Sequence, residues 1–236
     1  MMNMNIPLSF LIRTLAVINA FLPLCKAICR CFGYEFTLFN YTVCAIIFTV
    51  VSVFCVIGSS ITKEKISKKS DTAMLTFLPL FSVINWVVYL FKSSDKVIVT
   101  ICMPICFVCT AIMAIKHIRP IFLKIISIFT PSLALFPIAL LSFLLLLPFG
   151  RNTVVKTIPS PEGTYYAEVT DSDQGALGGD TLVHIHKSKK LDFLLFDITK
   201  TPERIYTGDW KEYETMQIHW KNEHCLVIDE IEYSIE

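Results

Sequence analysis

IISIFTPSLALFPIALLSFLLLLP, residues Ile125–Pro148, is an uncharged run of 24 residues, and only Phe149 and Gly150 separate it from Arg151, where the character of the chain reverses. A helix needs about 20 predominantly apolar residues to cross the hydrocarbon core of a bilayer, so this stretch reads as a membrane span. Working back toward the N-terminus, Leu38–Gly58, Thr72–Phe91 and Val97–Ile115 are equally free of Asp, Glu, Lys and Arg. A fifth stretch, Ile6–Cys25, carries Arg13. Arginine at a helix centre costs about 2.5–3.5 kcal/mol on insertion scales, but Arg13 lies toward the N-terminal end, from which it can snorkel to the interface.

A secretory signal peptide is the rival reading of that first stretch. Such a signal carries its positive charge ahead of the apolar core, and no Lys or Arg precedes Arg13. Leu22-Pro23-Leu24-Cys25 superficially matches a lipoprotein box, with Pro and Leu where small residues are wanted. We therefore expect five spans, with the first retained.

The net charge of +1 conceals two opposite halves. Up to Gly150 there are 12 Lys/Arg against four Asp/Glu, a balance of +8; beyond it there are nine against 16, a balance of −7. Hydrophobic residues make up 54% of the chain, charged residues only 17%, and mean hydropathy is +0.60. An ordinary globular chain is about 25% charged. The expected architecture is an all-α membrane bundle over residues 1–150 and a small antiparallel β domain over residues 151–236.

Basic residues of short loops stay on the cytoplasmic side. Lys63, Lys65, Lys68 and Lys69 follow the second span, and Lys116, Arg119 and Lys124 follow the fourth. Fewer lie in the alternate loops, with Lys26 and Arg30 in one and Lys92 and Lys96 in the other, the latter offset by Asp95. Five spans then put the N-terminus inside and the C-terminal domain outside the plasma membrane. Nucleic acid is not an expected partner, because the water-exposed half is acidic and the basic residues sit in short juxtamembrane loops where they set topology.

Five of nine cysteines, Cys44, Cys55, Cys102, Cys106 and Cys109, lie in spans, where a thiol acts as a small apolar group. Cys225 is alone in the C-terminal half, so no disulfide forms within it. Cys25, Cys29 and Cys31 cluster without the spacing of a zinc site. Within the spans, Asn19, Asn85, Pro79, Pro104, Pro131 and Pro137 are the polar and helix-perturbing exceptions; Asn85 is expected to bond a neighbouring helix. Trp86 and Tyr89 fit an interfacial aromatic belt. With no acidic residue assigned to a span, and no internal repeat, a proton or ion relay has no support.

Beyond Gly150 the period changes from helix to strand. Ser160-Pro161-Glu162-Gly163 fits a type I turn, with Pro second and Gly fourth, and feeds Thr164–Val169. Thr181–His186 alternates, with Thr181, Val183 and Ile185 on one face and Leu182, His184 and His186 on the other. Arg204–Thr207, Thr215–Trp220 and Cys225–Ile228 are further candidate strands, with Lys221–His224 a hairpin connection, and Glu230–Ile235 a possible edge. Leu191–Ile198 suits strand or helix. The expectation is one sheet of four to six strands, with Arg151–Pro159 a short linker to the membrane.

The connection Asp171-Ser172-Asp173-Gln174-Gly175-Ala176-Leu177-Gly178-Gly179-Asp180 carries three carboxylates and three glycines. Asp171-x-Asp173-x-Gly175 matches part of a calcium loop, and Asp171, Asp173, Gly175 and Asp180 are the candidate ligand residues. It departs from the EF-hand at Gly175, Ala176 and Leu182, which stand where an acid or Asn, a Gly and a Glu belong. The competing reading is a glycine-rich hairpin whose aspartates bond local backbone. His184 and His186, two apart on one face, are candidate ligands for a transition metal together with His219 or Asp180, against the commoner setting of solvated histidines. No cofactor is expected. There is no G-x-S-x-G, H-E-x-x-H or phosphate-loop motif.

The opening strand resembles that of a propeller blade, although one blade cannot close a propeller. Ser160–Gly163 with Tyr165-Tyr166-Ala167-Glu168-Val169, followed by Asp171–Thr181, is similar to a stretch in uncharacterised small membrane proteins of low-GC Gram-positive bacteria grouped as DUF5412. That resemblance covers the C-terminal third and implies a bacterial plasma-membrane protein with an extracytoplasmic domain; it supplies no activity. The leading expectation is a non-enzymatic membrane protein whose acidic outer domain binds a protein partner, an envelope component or an ion. A small permease or transporter subunit, using Asn19, Asn85 and the prolines, is the alternative, and a membrane-embedded enzyme ranks last.

Overall fold

The computed structural model describes residues 7–62, 66, 68–146, 151–175 and 178–235. Lys63, Lys65, Leu147, Pro148, Ala176 and Leu177 lie outside the described residues. The chain forms two compact units, one of Met1–Ile28 with Leu38–Leu147, the other of Cys29–Thr37 with Pro148–Glu236.

Among the described residues are five helices long and apolar enough to cross a membrane, α1 (Leu8–Cys31), α2 (Tyr41–Ile61), α3 (Lys69–Lys92), α4 (Lys96–His117) and α5 (Ile121–Leu146), all in the first unit apart from the last residues of α1, from Cys29 on. Side-chain caps start two of them, Asn40 accepting from Val43 N at 3.0 Å and Asp95 from Ile98 N at 3.1 Å. Helix α3 packs on α4 and α5, and α2 on α4. Gly58 of α2 allows close approach of α1, since a Cβ there would lie 3.1 Å from Leu11 Cδ1. Pro23, Pro79, Pro104, Pro131 and Pro137 all sit inside continuous helices. The outward faces are apolar, with Val17, Val50, Phe54, Phe136 and Phe143 all exposed.

Three expectations for the helices need correction. Helix α3 begins at Lys69 and so contains Asp71, a buried acid whose Oδ1 lies 3.1 Å from Arg13 Nε. Arg13 therefore has an ion-pair partner on another helix instead of only an interface to reach. Its signal was an acid in the first turn of a helix, a common start mark. Trp86 and Tyr89 are buried rather than belted at an interface, Tyr89 meeting Tyr41 edge-on at 5.7 Å. Leu38, assigned to the second span, ends a strand, and α2 starts at Tyr41. Asn85 behaves as expected, donating from Nδ2 to the Asn19 carbonyl at 2.7 Å.

The second unit holds all ten strands of the described residues: β1 (Tyr34–Leu38), β2 (Arg151–Pro159), β3 (Tyr165–Asp173), β4 (Gly179–Lys187), β5 (Lys190–Asp192), β6 (Phe196–Lys200), β7 (Glu203–Asp209), β8 (Ile218–Asn222), β9 (Cys225–Ile228) and β10 (Ile231–Ser234). They make three sheets, ordered β2-β3-β4-β7, β10-β9-β8 and β1-β6-β5. The core lies between the first two. Tyr165, Ala167 and Val169 of β3 with Val183 and Ile185 of β4 meet Ile218 of β8 and Leu226 and Ile228 of β9, with Met216 and Ile235 closing the cluster. The buried set of β4 is Thr181, Val183 and Ile185, the face the alternation predicts.

The sheet count therefore exceeds the single sheet expected. Arg151–Pro159 is not a linker but the nine-residue β2, paired along β3 with a bulge at Val155. Leu191–Ile198 divides into the β5–β6 hairpin, and Thr215–Trp220 is strand only from Ile218. Asn222 pairs with Cys225, which reduces the Lys221–His224 connection to a two-residue turn. The division between the units also differs from a cut at residue 150, because Cys29–Thr37 belongs with the C-terminal half through β1.

Candidate functional site

The glycine–aspartate connection is the turn of the β3–β4 hairpin. Register pairs Asp171 with Thr181, Ser172 with Asp180 and Asp173 with Gly179. Because successive side chains alternate across a strand, Asp171 and Asp173 point to the core side and Asp180 to the opposite face. The candidate oxygens thus divide between two faces. Asp173 Oδ1 accepts from Gly175 N at 2.7 Å, and Asp180 Oδ2 from Gln174 Nε2 at 2.8 Å. Gln174 N donates to Gly178 O at 2.8 Å, and Gly175 and Gly178 supply φ of 67° and 94°, a backbone region that favours glycine. Asp171 Oδ2 accepts from Tyr213 Oη at 3.4 Å, while its Oδ1 is buried without a hydrogen-bond partner among the described residues. Burial and the Asp171 charge push the Tyr213 hydroxyl above its ordinary pKa.

His184 and His186 lie on the other face of the same sheet, paired across β3 with Glu168 and Tyr166. The His186 ring stacks on Tyr166 at 4.7 Å and 7°, and its Nε2 is 3.8 Å from Glu168 Oε2. Burial, then His186, push His184 below its ordinary pKa despite Glu168. His219 sits on β8 of another sheet. Among the described residues, no group of three or more His, Cys, Asp or Glu side chains converges to hold a metal. Cys29 and Cys31 are free thiols at the end of α1, and Cys225 is free on β9.

The most organised polar cluster was not among the predicted residues. Glu223, in the β8–β9 turn, puts its carboxylate into the Ser160–Gly163 turn. Oε1 accepts from Ser160 Oγ at 2.6 Å and Thr164 N at 3.0 Å, and Oε2 from Glu162 N at 2.7 Å. Ser160 Oγ also accepts from Tyr165 N at 3.0 Å. Backbone N–H groups of a turn form a nest for an anion, and here the anion belongs to the chain itself. Partial burial opposes ionisation of Glu223, but these donors outweigh it and hold the carboxyl below its ordinary pKa. A second carboxylate does similar work: Glu212 accepts from Tyr206 Oη at 3.0 Å and Asp209 N at 2.8 Å, and burial together with Glu212 pushes Tyr206 up to about 12. The turn motif was legible in sequence; its partner, some 60 positions on, carried no local signal.

No family model matches the chain, no curated protein matches its sequence and no solved structure matches its fold.

Proposed function

We propose that this is a multi-pass plasma-membrane protein of a bacterium, in which five helices carry an acidic extracytoplasmic β domain that binds a protein or envelope partner. The observation that carries the reading is β1. This strand comes from the connection between α1 and α2, yet it belongs to the sheet of β5 and β6. Both must lie on one side of the bilayer, and the four helices α2–α5 between them return the chain to that side. The parity agrees with the basic-loop asymmetry that puts the N-terminus in the cytoplasm. The apolar outward faces of the helices support the membrane setting. The likeness of Ser160–Val169 to the DUF5412 membrane proteins is part of this proposal, and Glu223 supplies a reason for that turn's chemistry.

Binding is favoured over catalysis because the strongest polar clusters, around Glu223 and Glu212, are closed on their own chain. An ion ligand at Asp171, Asp173 and Asp180 is the weaker form of the reading, since the strand pleat divides these oxygens. A membrane-impermeant maleimide applied to intact cells tests the topology: it should label Glu214→Cys and spare Lys116→Cys in a background without the native cysteines. The reverse pattern overturns the orientation. Calorimetric titration of the detergent-solubilised full chain with Ca²⁺ and Zn²⁺ should give no heat that Asp171→Ala/Asp173→Ala abolishes; such heat would restore the ion reading. The full chain is needed because a fragment beginning at Arg151 lacks β1.

A small permease or accessory transport subunit is the second reading, drawn from Asn19 and Asn85, both fully buried on α1 and α3 with Oδ1 atoms lacking partners among the described residues. Solute flux in proteoliposomes that Asn85→Leu abolishes would promote it.

A further inference from the structure

The tip of the β5–β6 hairpin has the wrong composition for a turn in water. Such turns are made by Gly, Asn, Asp, Ser and Pro, which meet the backbone's needs and stay solvated. Here the tip reads Leu191-Asp192-Phe193-Leu194-Leu195-Phe196. Phe193 N donates to Phe196 O at 2.9 Å to close it. Leu191 is 60% exposed, Phe193 51%, Leu194 91% and Leu195 65%. Four large apolar side chains therefore face outward, and Leu194 contributes nothing to the core. Phe193, one of these four, stacks on Phe196 at 4.7 Å, and Phe196 stacks on Phe36 of β1 at 4.8 Å. The tip is thus held on a built platform that starts at β1.

Chain connectivity says where that platform is. Only Phe32 and Gly33 join α1 to β1, and only Phe39 and Asn40 join β1 to α2. Two extended residues span about 7 Å at most, so β1 cannot leave the ends of those helices. Strand β6 lies beside β1 and β5 beside β6, each step being about 4.8 Å. The headgroup and interfacial layer on each side of a bilayer is itself roughly 5–8 Å deep. Charge points the same way. Lys187, Lys189 and Lys190 precede the tip within a half of the chain whose balance is −7; of the two acids of the hairpin, Asp192 is bound to Lys190 at 2.9 Å and Asp197 lies opposite Asp192 in the register. Lysines flanking an apolar tip match phosphate oxygens above acyl chains.

We propose that the Leu191–Leu195 tip inserts into the outer-leaflet interface, with the adjacent lysines on anionic phospholipid headgroups, so that the β domain grips the membrane at a second place besides its covalent links. The proposal rests on the membrane reading above. A photoreactive Leu194→p-benzoylphenylalanine substitution in the full chain tests it, reconstituted in vesicles of mixed phosphatidylcholine and phosphatidylglycerol. Irradiation should yield lipid adducts at residue 194 in excess, on the order of tenfold, over the same probe at the exposed Glu214. With the probe at Phe193, a Leu194→Asp/Leu195→Asp pair should reduce the adduct severalfold while alkaline extraction still leaves the protein in the vesicles. Adducts with another protein, adducts with a second copy, or equal labelling at both positions would overturn insertion. A chain released from vesicles by alkaline extraction would instead overturn the membrane reading itself.

Discussion

In the helical unit, Thr49, Ser52, Thr76 and Ser142 each donate to the carbonyl four residues earlier, whereas in the β unit Ser160 donates to Glu223, 63 positions away, and Trp220 to Ile158 O, 62 positions away. Both units bury polar atoms, and an unpaired buried polar group costs about 1–3 kcal/mol wherever it is. A helix offers its own backbone as the partner one turn back. A strand has no such neighbour, because its backbone groups are committed to adjacent strands and its side chains stand perpendicular to them. The β unit must therefore recruit partners from distant segments, and it is expected to unfold as one cooperative body. Between its helices the helical unit pairs Arg13 with Asp71, Asn85 with Asn19, Thr42 with Ser93 and Lys116 with Ser59 O, and Thr49 also reaches Cys102 O and Cys106 Sγ besides its local carbonyl.

The sharpest way to break this contrast is to remove apolar volume from each unit. Leu226→Ala, at a fully buried position between the two main sheets, should cost about 3 kcal/mol. Amide exchange should accelerate in β3, β4, β8 and β9 together. Phe143→Ala, on the outward face of α5, should change stability in lipid vesicles by less than about 0.5 kcal/mol. Exchange that accelerates in β9 alone would show that the β unit is not the cooperative body described.

The next effect tests the exception in the bundle. Asp71→Asn leaves Arg13 unpaired and should lower stability in detergent by about 2 kcal/mol; because Arg13 is itself half-exposed, the loss should fall short of that for a fully buried pair. The swap Arg13→Asp/Asp71→Arg should recover part of it. No loss on Asp71→Asn would make the ion pair incidental.

A smaller, pH-dependent effect belongs to the Glu223 nest. Its folded pKa lies below the ordinary 4.5, so its stabilisation is present above that value and is lost as pH falls through the lower folded value. Glu223→Gln should lower the melting temperature at neutral pH and flatten the acid limb of the stability curve. An unchanged acid limb would remove Glu223 from the account.

The smallest change is a gain. The β9–β10 turn has Asp229 at φ 45° and Glu230 at φ 69°, the left-handed pair of a type I′ turn. Asp229 is retained by its bonds with Gln217, donating N to O at 2.9 Å and accepting at Oδ1 from Gln217 N at 2.8 Å. Glu230→Gly should relieve strain and raise stability by about 0.5–1 kcal/mol. A loss would mean that the Glu230 side chain makes a contact worth more than the strain.

Much of the architecture could be read from local pattern. Five apolar runs give five helices because helical periodicity and length are carried by neighbours in the chain, and the buried face of β4 follows from period two alone. The ends of the elements were less legible. Lys69–Asp71 extends α3 because a first-turn acid suits a helix start, and Arg151–Pro159 becomes a strand because β3 needs a partner on that edge. The Asp171–Asp180 connection was recognisable as a turn, but the opposing directions of Asp171 and Asp180 depended on register, which no residue type announces.

What the sequence determined by itself was the division between a lipid-compatible half and an acidic, water-compatible half, together with the helices, the main hairpins and the buried face of β4. These depend on hydrophobic period, charge and turn chemistry, all properties of residues a few positions apart. Tertiary structure alone decided that β1 joins the C-terminal unit, that Glu223 fills the Ser160 turn, that Arg13 meets Asp71 and that the strands form three sheets. Those outcomes rest on contacts between segments tens to more than a hundred residues apart, whose pairing is chosen by packing and by the need to satisfy buried polar groups.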